Sequence, residues 1–167
     1  MLTVADSLIF IDELVKRTRQ HGFDVVVVTS PDDRLTRFGV EHGVRTLGVE
    51  MPRRITPLGD WQALEQIHQL LARLEPDIVH AHTPKGGLLG SLAAHACGVP
   101  VRLYHMRGLP FVTQRGAMRA FMQTAERIAC ASATRVICQS PSLREIAIAE
   151  RIVSADKATV VDRKSVV

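Results

Sequence analysis

Residues 77–90 read Asp77-Ile78-Val79-His80-Ala81-His82-Thr83-Pro84-Lys85-Gly86-Gly87-Leu88-Leu89-Gly90. The segment reads as a short buried strand, a polar turn and the start of a helix. Thr83 is placed to cap that helix, since a threonine hydroxyl accepts from an orphan backbone N–H. Pro84 suits the first helical position, where a missing N–H costs nothing. Gly86 and Gly87 leave the backbone bare, and Lys85 adds a cation beside it. Free N–H groups and the helix dipole make such a place favourable to anions. His80 and His82 stand at the strand exit, which is where open parallel sheets bind ligands.

The flanking sequence repeats the same unit. Asp24-Val25-Val26-Val27-Val28-Thr29 is a β-branched run without alternation, as in a strand buried on both faces. Further strands are expected at 44–49, 101–105, 134–138 and 157–161, with the tail of a first strand at 1–4. Helices are expected between them. One begins after Ala5-Asp6-Ser7, with Asp6 or Ser7 as cap. One begins after Ser30-Pro31-Asp32-Asp33. A long one carries Trp61, Leu64, Ile67, Leu70, Leu71 and Leu74 on its packed side. Another runs over 116–132, and a last one opens at Ser140-Pro141. Strands alternating with helices imply a parallel sheet with right-handed crossovers. The fold class is therefore α/β, a Rossmann-like doubly wound parallel sheet. Numbered from residues 1–4, its expected strand order is 3-2-1-4-5-6. That order brings the loops at 5–7, 80–87 and 105–108 to one crevice.

The chain has 167 residues, 46% hydrophobic and 23% charged, enough for a core of its own. Only 4% are aromatic, and no nucleic-acid motif is present, so base stacking has little material. The net charge of +4 reads as a mildly basic surface or as a face toward phosphates or anionic lipid. Cys97, Cys130 and Cys138 are odd in number and lack CxxC spacing, as expected of thiols in a reducing compartment. No signal-peptide pattern and no long apolar run is found, so the expected location is cytoplasmic. Arg115, Arg119 and Arg127 lie along one helix with Met118, Phe121 and Met122. That composition suits either an ordinary packed helix or peripheral contact with an inner membrane face.

The candidate residues each carry two readings. His80 and His82 share a side of their strand and serve as a base or phosphate donor, or else hold a neighbouring loop. No third ligand sits at a recognised metal spacing. Lys85-Gly86-Gly87 binds a phosphate or only permits close helix–strand packing; neither GxxxxGK[ST] nor GxGxxG is present. His105-x-Arg107-Gly108 sets an imidazole and a guanidinium at the next strand exit, where arginine holds a phosphate in bidentate fashion. No nucleophile pattern has a recognisable context.

At these residues the sequence resembles the N-terminal domain of family 4 glycosyltransferases, retaining enzymes of the GT-B fold that build bacterial capsule, O-antigen and other surface polysaccharides. Residues 77–90 carry the resemblance, together with Arg102-Leu103-Tyr104-His105-Met106-Arg107-Gly108-Leu109-Pro110-Phe111 and Arg135-Val136-Ile137-Cys138-Gln139-Ser140-Pro141-Ser142-Leu143-Arg144. Met51-Pro52-Arg53-Arg54 and Ala5-Asp6-Ser7-Leu8 also match. The resemblance covers about residues 1–160.

It implies an acceptor-side domain at 1–161, with a divergent tail at 162–167 where a linker to a donor domain is expected to start. The first strand is truncated and the C-terminal domain absent relative to that pattern. The implied function is the acceptor-binding half of an enzyme moving a sugar from a nucleotide-sugar to a polyprenyl-linked or saccharide acceptor, inactive alone. The implied site has His82 as catalytic residue, with Ser7, His80, Thr83, Lys85, Gly86, Gly87, His105, Arg107 and Gly108 on the substrate. No metal and no cofactor are expected, the nucleotide-sugar being a donor substrate. A fragment of a GT-B nucleotide-sugar epimerase and a stand-alone Rossmann-like interaction module remain the alternatives.

Overall fold

The computed structural model describes residues 1–52 and 54–161. The tail at 162–167, with the linker position expected there, lies outside the described residues. A 3-10 turn at Ala5–Phe10 leads into α1 (Asp12–Gln20), β1 (Val26–Thr29), α2 (Asp33–His42), β2 (Arg45–Gly48) and α3 (Pro57–Leu74). Then come β3 (Ile78–His82), α4 (Pro84–Ala96), β4 (Val101–Met106) and a 3-10 turn at Pro110–Thr113. The chain continues with α5 (Gly116–Ser132), β5 (Arg135–Cys138), α6 (Pro141–Ala149) and β6 (Ala158–Val160).

Every strand pairing is parallel. β1 and β2 form one sheet, and β3-β4-β5-β6 form another in that order. Residues 1–3 are the seam between them. Leu2 N–H donates to Val28 O at 3.0 Å on one side, and His82 N–H donates to Met1 O at 2.8 Å on the other. The resulting sequence of neighbours is β2, β1, residues 1–3, β3, β4, β5, β6. This is the expected 3-2-1-4-5-6 order with one short strand added.

The helical layer on one face places α4 between α3 and α5. Beneath it lies a cluster of Val49, Met51, Ile67, Leu71, Val79 and Leu89, and a second of Tyr104, Met106, Phe111, Val136 and Cys138. On the opposite face Leu8, Ile11, Val15, Val27, Leu35 and Phe38 form a third. Of the unalternating valines of β1, the consecutive Val27 and Val28 are both buried, as a strand covered on both faces requires, and Val26 is half-buried. Helix ends follow local chemistry: Asp32 accepts from Arg34 N–H at 2.7 Å, and Ser140 Oγ accepts from Leu143 N–H at 3.2 Å. Gly43 ends α2 with φ +59°, a left-handed stop that glycine adopts without steric cost.

Three expectations are corrected. Neither Asp6 nor Ser7 caps a helix, because residues 5–10 form a 3-10 turn and α1 begins only at Asp12. Leu8 and Ile11, three apart, are buried 3-10 neighbours in that turn, joined by an Ile11 N–H to Leu8 O bond of 2.9 Å. Trp61 is 67% exposed rather than packed. It lies six residues before the buried Ile67, about one and two-thirds turns away, and so faces outward. Thr83 makes no side-chain cap to α4.

Candidate active-site crevice

The parallel register of β3 and β4 sets Ala81 beside Tyr104 and His82 beside His105. Successive side chains alternate, so Val79, Ala81 and Tyr104 enter the helical face while His80, His82 and His105 share the other. The three imidazoles gather there. Ring centroids stand 4.2 Å apart for His80 and His82, 5.2 Å for His82 and His105, and 5.7 Å for His80 and His105. His82 is only 2% exposed. Its Nδ1 and the Nε2 of His80 are buried without a hydrogen-bond partner. Burial pushes the His80 imidazole down to about 3, with nearby positive charge adding to the effect, and pushes His105 down to about 4 with Arg107 adding. Burial likewise lowers His82. All three rings are neutral at physiological pH.

The turn after β3 is strained. Thr83 has φ +66° and ψ 152°, a region that favours glycine. Thr3 holds it. Gly86 N–H donates to Thr3 Oγ1 at 3.0 Å, the two threonine hydroxyls lie 2.7 Å apart, and Thr83 Oγ1 donates to His82 O. The cap of α4 therefore comes from residue 3, across the sheet seam, not from Thr83. Ser30 Oγ also donates to Thr3 O at 2.8 Å, which fixes the same segment from β1.

Lys85 is engaged structurally. Its ammonium donates to Pro52 O at 2.5 Å, to Arg54 O, and to Asp60 Oδ1 at 2.7 Å. An ammonium has three donors, so a phosphate here would have to displace one of these acceptors. The side chain straps the 51–56 loop to the start of α4. Gly86 and Gly87 likewise serve close approach. A Cβ at Gly86 would stand 3.2 Å from the backbone of Leu2, and one at Gly87 would stand 2.1 Å from the Tyr104 ring.

Arg107 leaves β4 toward the N-terminal turn. Its guanidinium lies 4.9 Å from the Phe10 ring centroid, and Nη2 donates to Phe10 O at 3.2 Å. Arg107 also lines a shallow pocket with Gln139, Ser140, Ser142, Leu143 and Ile146. Ser7 sits half-buried in the N-terminal turn, its N–H bonded to Val4 O at 3.1 Å. Gly108 faces open space. Of the expected exit-loop residues, the structure brings His80 and His82 to His105 and Arg107 to Phe10, and β5 joins Arg107 through Gln139 and Ser140, while Lys85, Gly86 and Gly87 are engaged elsewhere. Sequence reasoning missed Thr3 and Gln139 as members of this crevice. The strand order alone, with residue 3 in the seam and β5 next to β4, was a sufficient signal for both.

Residues 9–163 match the glycosyl transferase 4-like domain family. The chain belongs to that family. This family member is 30% identical over 160 residues to the capsular polysaccharide biosynthesis glycosyltransferase CapM of Staphylococcus aureus, covering 96% of this chain and 41% of CapM. It is 31% identical over 141 residues to the UDP-Gal:alpha-D-GlcNAc-diphosphoundecaprenol alpha-1,3-galactosyltransferase of Escherichia coli, covering 83% of this chain and 36% of that protein. The chain therefore spans about two-fifths of the length of these curated relatives. The UDP-GlcNAc 2-epimerase of Neisseria meningitidis, solved with UDP-GlcNAc, superposes with a TM-score of 0.71 at 14% identity, over 95% of this chain and 44% of that one. The fold is that of one half of a GT-B architecture.

Proposed function

We propose that this chain is the acceptor-side half of a glycosyltransferase that moves a sugar from a nucleotide-sugar to a lipid-linked or saccharide acceptor. The observation that carries the reading is the convergence of Arg107 and His105 with the exits of residues 1–10 and β5 on one crevice, in a member of this family. A crevice at the carboxyl ends of parallel strands is where such sheets bind ligands. Arg107 supplies the guanidinium for an acceptor diphosphate. His105 and His80 are half-buried beside it. His82, beneath them, acts on a substrate only if the rings part. Both curated relatives are named as transferases, which supports transfer over epimerisation. The reading needs no bound cofactor.

Binding of a polyprenyl-diphosphate-linked sugar in micelles tests the proposal. The expected result is saturable binding, weakened about tenfold by Arg107→Ala, in line with loss of one charge-assisted contact. No saturable binding, or none of this dependence on Arg107, would remove the acceptor-side reading. Sugar transfer from a nucleotide-sugar by the 167-residue chain alone would also overturn it.

Among the described residues no helix is long and apolar enough to cross a membrane. Contact at the surface is the proposed mode. Met118 and Phe121, one turn apart on α5, are 45% and 54% exposed, with Arg115 exposed beside them. Arg119 and Arg127 are turned aside, Arg119 pairing with Glu150 at 2.8 Å and Arg127 donating to Glu150 O at 3.1 Å. Co-sedimentation with anionic vesicles should be lost in the Met118→Ser, Phe121→Ser double variant. Retention of vesicle binding would rule this face out.

A further inference from the structure

We infer that His80, His82 and His105 form a binding site for one divalent transition-metal ion, of the class that zinc represents. The site uses imidazoles that the proposed acceptor crevice also uses, but the inference does not rest on sugar transfer. The ligand atoms of the three rings all lie within 4.8 Å of one another. Three imidazoles at Zn–N distances of 2.0–2.1 Å stand about 3.4 Å apart, so the rings need to close by up to about 1.4 Å. His80 and His82 reach the site from alternate positions of one strand, and His105 reaches it from the registered position of the next.

The second observation is independent of this proximity. His80 Nε2 and His82 Nδ1 are buried with no hydrogen-bond partner, and His82 is 2% exposed. Buried polar atoms are almost always satisfied. No carboxylate faces these nitrogens in the described structure, and neutral imidazoles stacked on one another do not satisfy each other's lone pairs. A metal ion does, and imidazole is a preferred ligand of Zn, Co, Ni and Cu. Three ligands leave a fourth position for water. The ion would tie the exits of β3 and β4 and fix the floor of the crevice. Arg107 places a positive charge near the site, as its effect on the three imidazoles shows, and so opposes the ion.

The test is titration of tag-free, metal-stripped protein with Co²⁺ alone. The expected result is one equivalent bound, with the intense visible bands of four-coordinate Co²⁺, displaced by Zn²⁺. His80→Gln and His105→Gln should each weaken binding by more than about tenfold, since even loss of an outer-shell partner weakens a site by this much. His95→Gln, on the exposed C-terminal turn of α4, should leave it unchanged. Arg107→Met should tighten it several-fold by removing the opposing charge. Should the histidine variants fail to fold, imidazole ¹⁵N shifts of the unaltered protein decide the matter: added Zn²⁺ must move those of His80, His82 and His105 and no others. Absence of stoichiometric binding, or binding that persists in both glutamine variants, or shifts confined to other histidines, would overturn the inference.

Discussion

Tyr104 and His105 are consecutive residues of β4, and they face opposite worlds. On the helical side Tyr104 is fully buried, and its hydroxyl donates to Glu126 Oε2 at 2.8 Å. Gly87 lies flat against its ring. Here the Tyr104–Glu126 pair is closed, and burial favours the neutral forms: Tyr104 and Cys130 are pushed up, Cys130 to about 12, and Glu126 up to about 7. On the crevice side His105 meets two other imidazoles whose buried nitrogens have no partner. One strand thus separates a packed core with a closed Tyr104–Glu126 pair from a cluster of imidazoles with unpaired nitrogens. Stability explains the first. The second is where a ligand has work to do.

The largest expected effect breaks the closed side. Gly87→Ala puts a Cβ 2.1 Å from Tyr104 Cε2. The ring has nowhere to go, being fully buried and tethered through its hydroxyl. The better helix propensity of alanine returns only about 1 kcal/mol. Overpacking of this degree costs about 3 kcal/mol or more, read as a lower urea midpoint. Gly108→Ala, which meets nothing within 4 Å, should change the midpoint by no more than about 0.5 kcal/mol. Equal effects at the two glycines would erase the contrast.

The next effect separates the two sides by the sign of their pH dependence. Burial raises Glu126 from 4.5 to about 7 and outweighs the lowering effect of the Tyr104 hydrogen bond. The folded state therefore holds the proton more tightly than the unfolded one. This contribution is fully present below pH 4.5, falls as pH rises toward about 7, and is level above. The full swing is on the order of 3 kcal/mol. The groups that face Glu126, namely Tyr104 on β4 and Cys130 on α5, stay neutral over this range. The histidines act in the opposite sense. With folded values lowered to about 3 and about 4, His80 and His105 withdraw stability as pH falls below 6.5. Glu126→Gln keeps an acceptor for Tyr104 and removes the first slope. In chelator-treated protein the variant should be more stable than the parent at pH 8, and only the acid-side loss should remain in urea melts across pH 4–8.

Lys85→Met distinguishes strap from ligand. Its side chain is 13% exposed and its ammonium is bonded to Asp60 and two carbonyls, so its loss should cost about 2 kcal/mol. Acceptor binding should fall less than in Arg107→Ala. A stable Lys85→Met protein with abolished acceptor binding would restore the phosphate role.

Much of this was legible in the chain. The valine run at 25–28 marked a strand with Val27 and Val28 buried, Asp32 and Ser140 gave caps, and the strand order was that of the commonest doubly wound sheet. The crevice was legible as a convergence of loops. What could not be read were properties that exist only across strands. His105 has no spacing relation to His80 and His82; register alone makes it the third imidazole. Lys85 and Gly87 looked like phosphate-binding residues because their partners, Asp60 and Tyr104, lie 25 and 17 residues away in sequence. Trp61 failed for a local reason, since an apolar residue at the edge of a helical stripe drifts off the packed face within two turns.

Thr3 sits on the boundary between the two sides, and its removal is the smallest effect and the finest test. Thr3→Val keeps shape while deleting the acceptor for Gly86 N–H and the donor to Thr83. Loss of a cap bond costs about 1 kcal/mol. A valine here leaves the buried Gly86 N–H unpaired, so the cost should lie toward 2 kcal/mol. The exposed cap of α2 offers the comparison, because after Asp32→Ala water replaces the lost acceptor on Arg34 N–H. The difference between the two variants in urea melts measures burial rather than capping. Thr83 gives a second readout. Held at φ +66° by this hydroxyl pair, it should relax in Thr3→Val, and the His82 carbonyl with it. Backbone amide shifts at 82–87 that move together would show that residues 1–3 set the geometry of the β3 exit. Shifts confined to Gly86 would leave the strained turn to be explained by β3 and α4 alone.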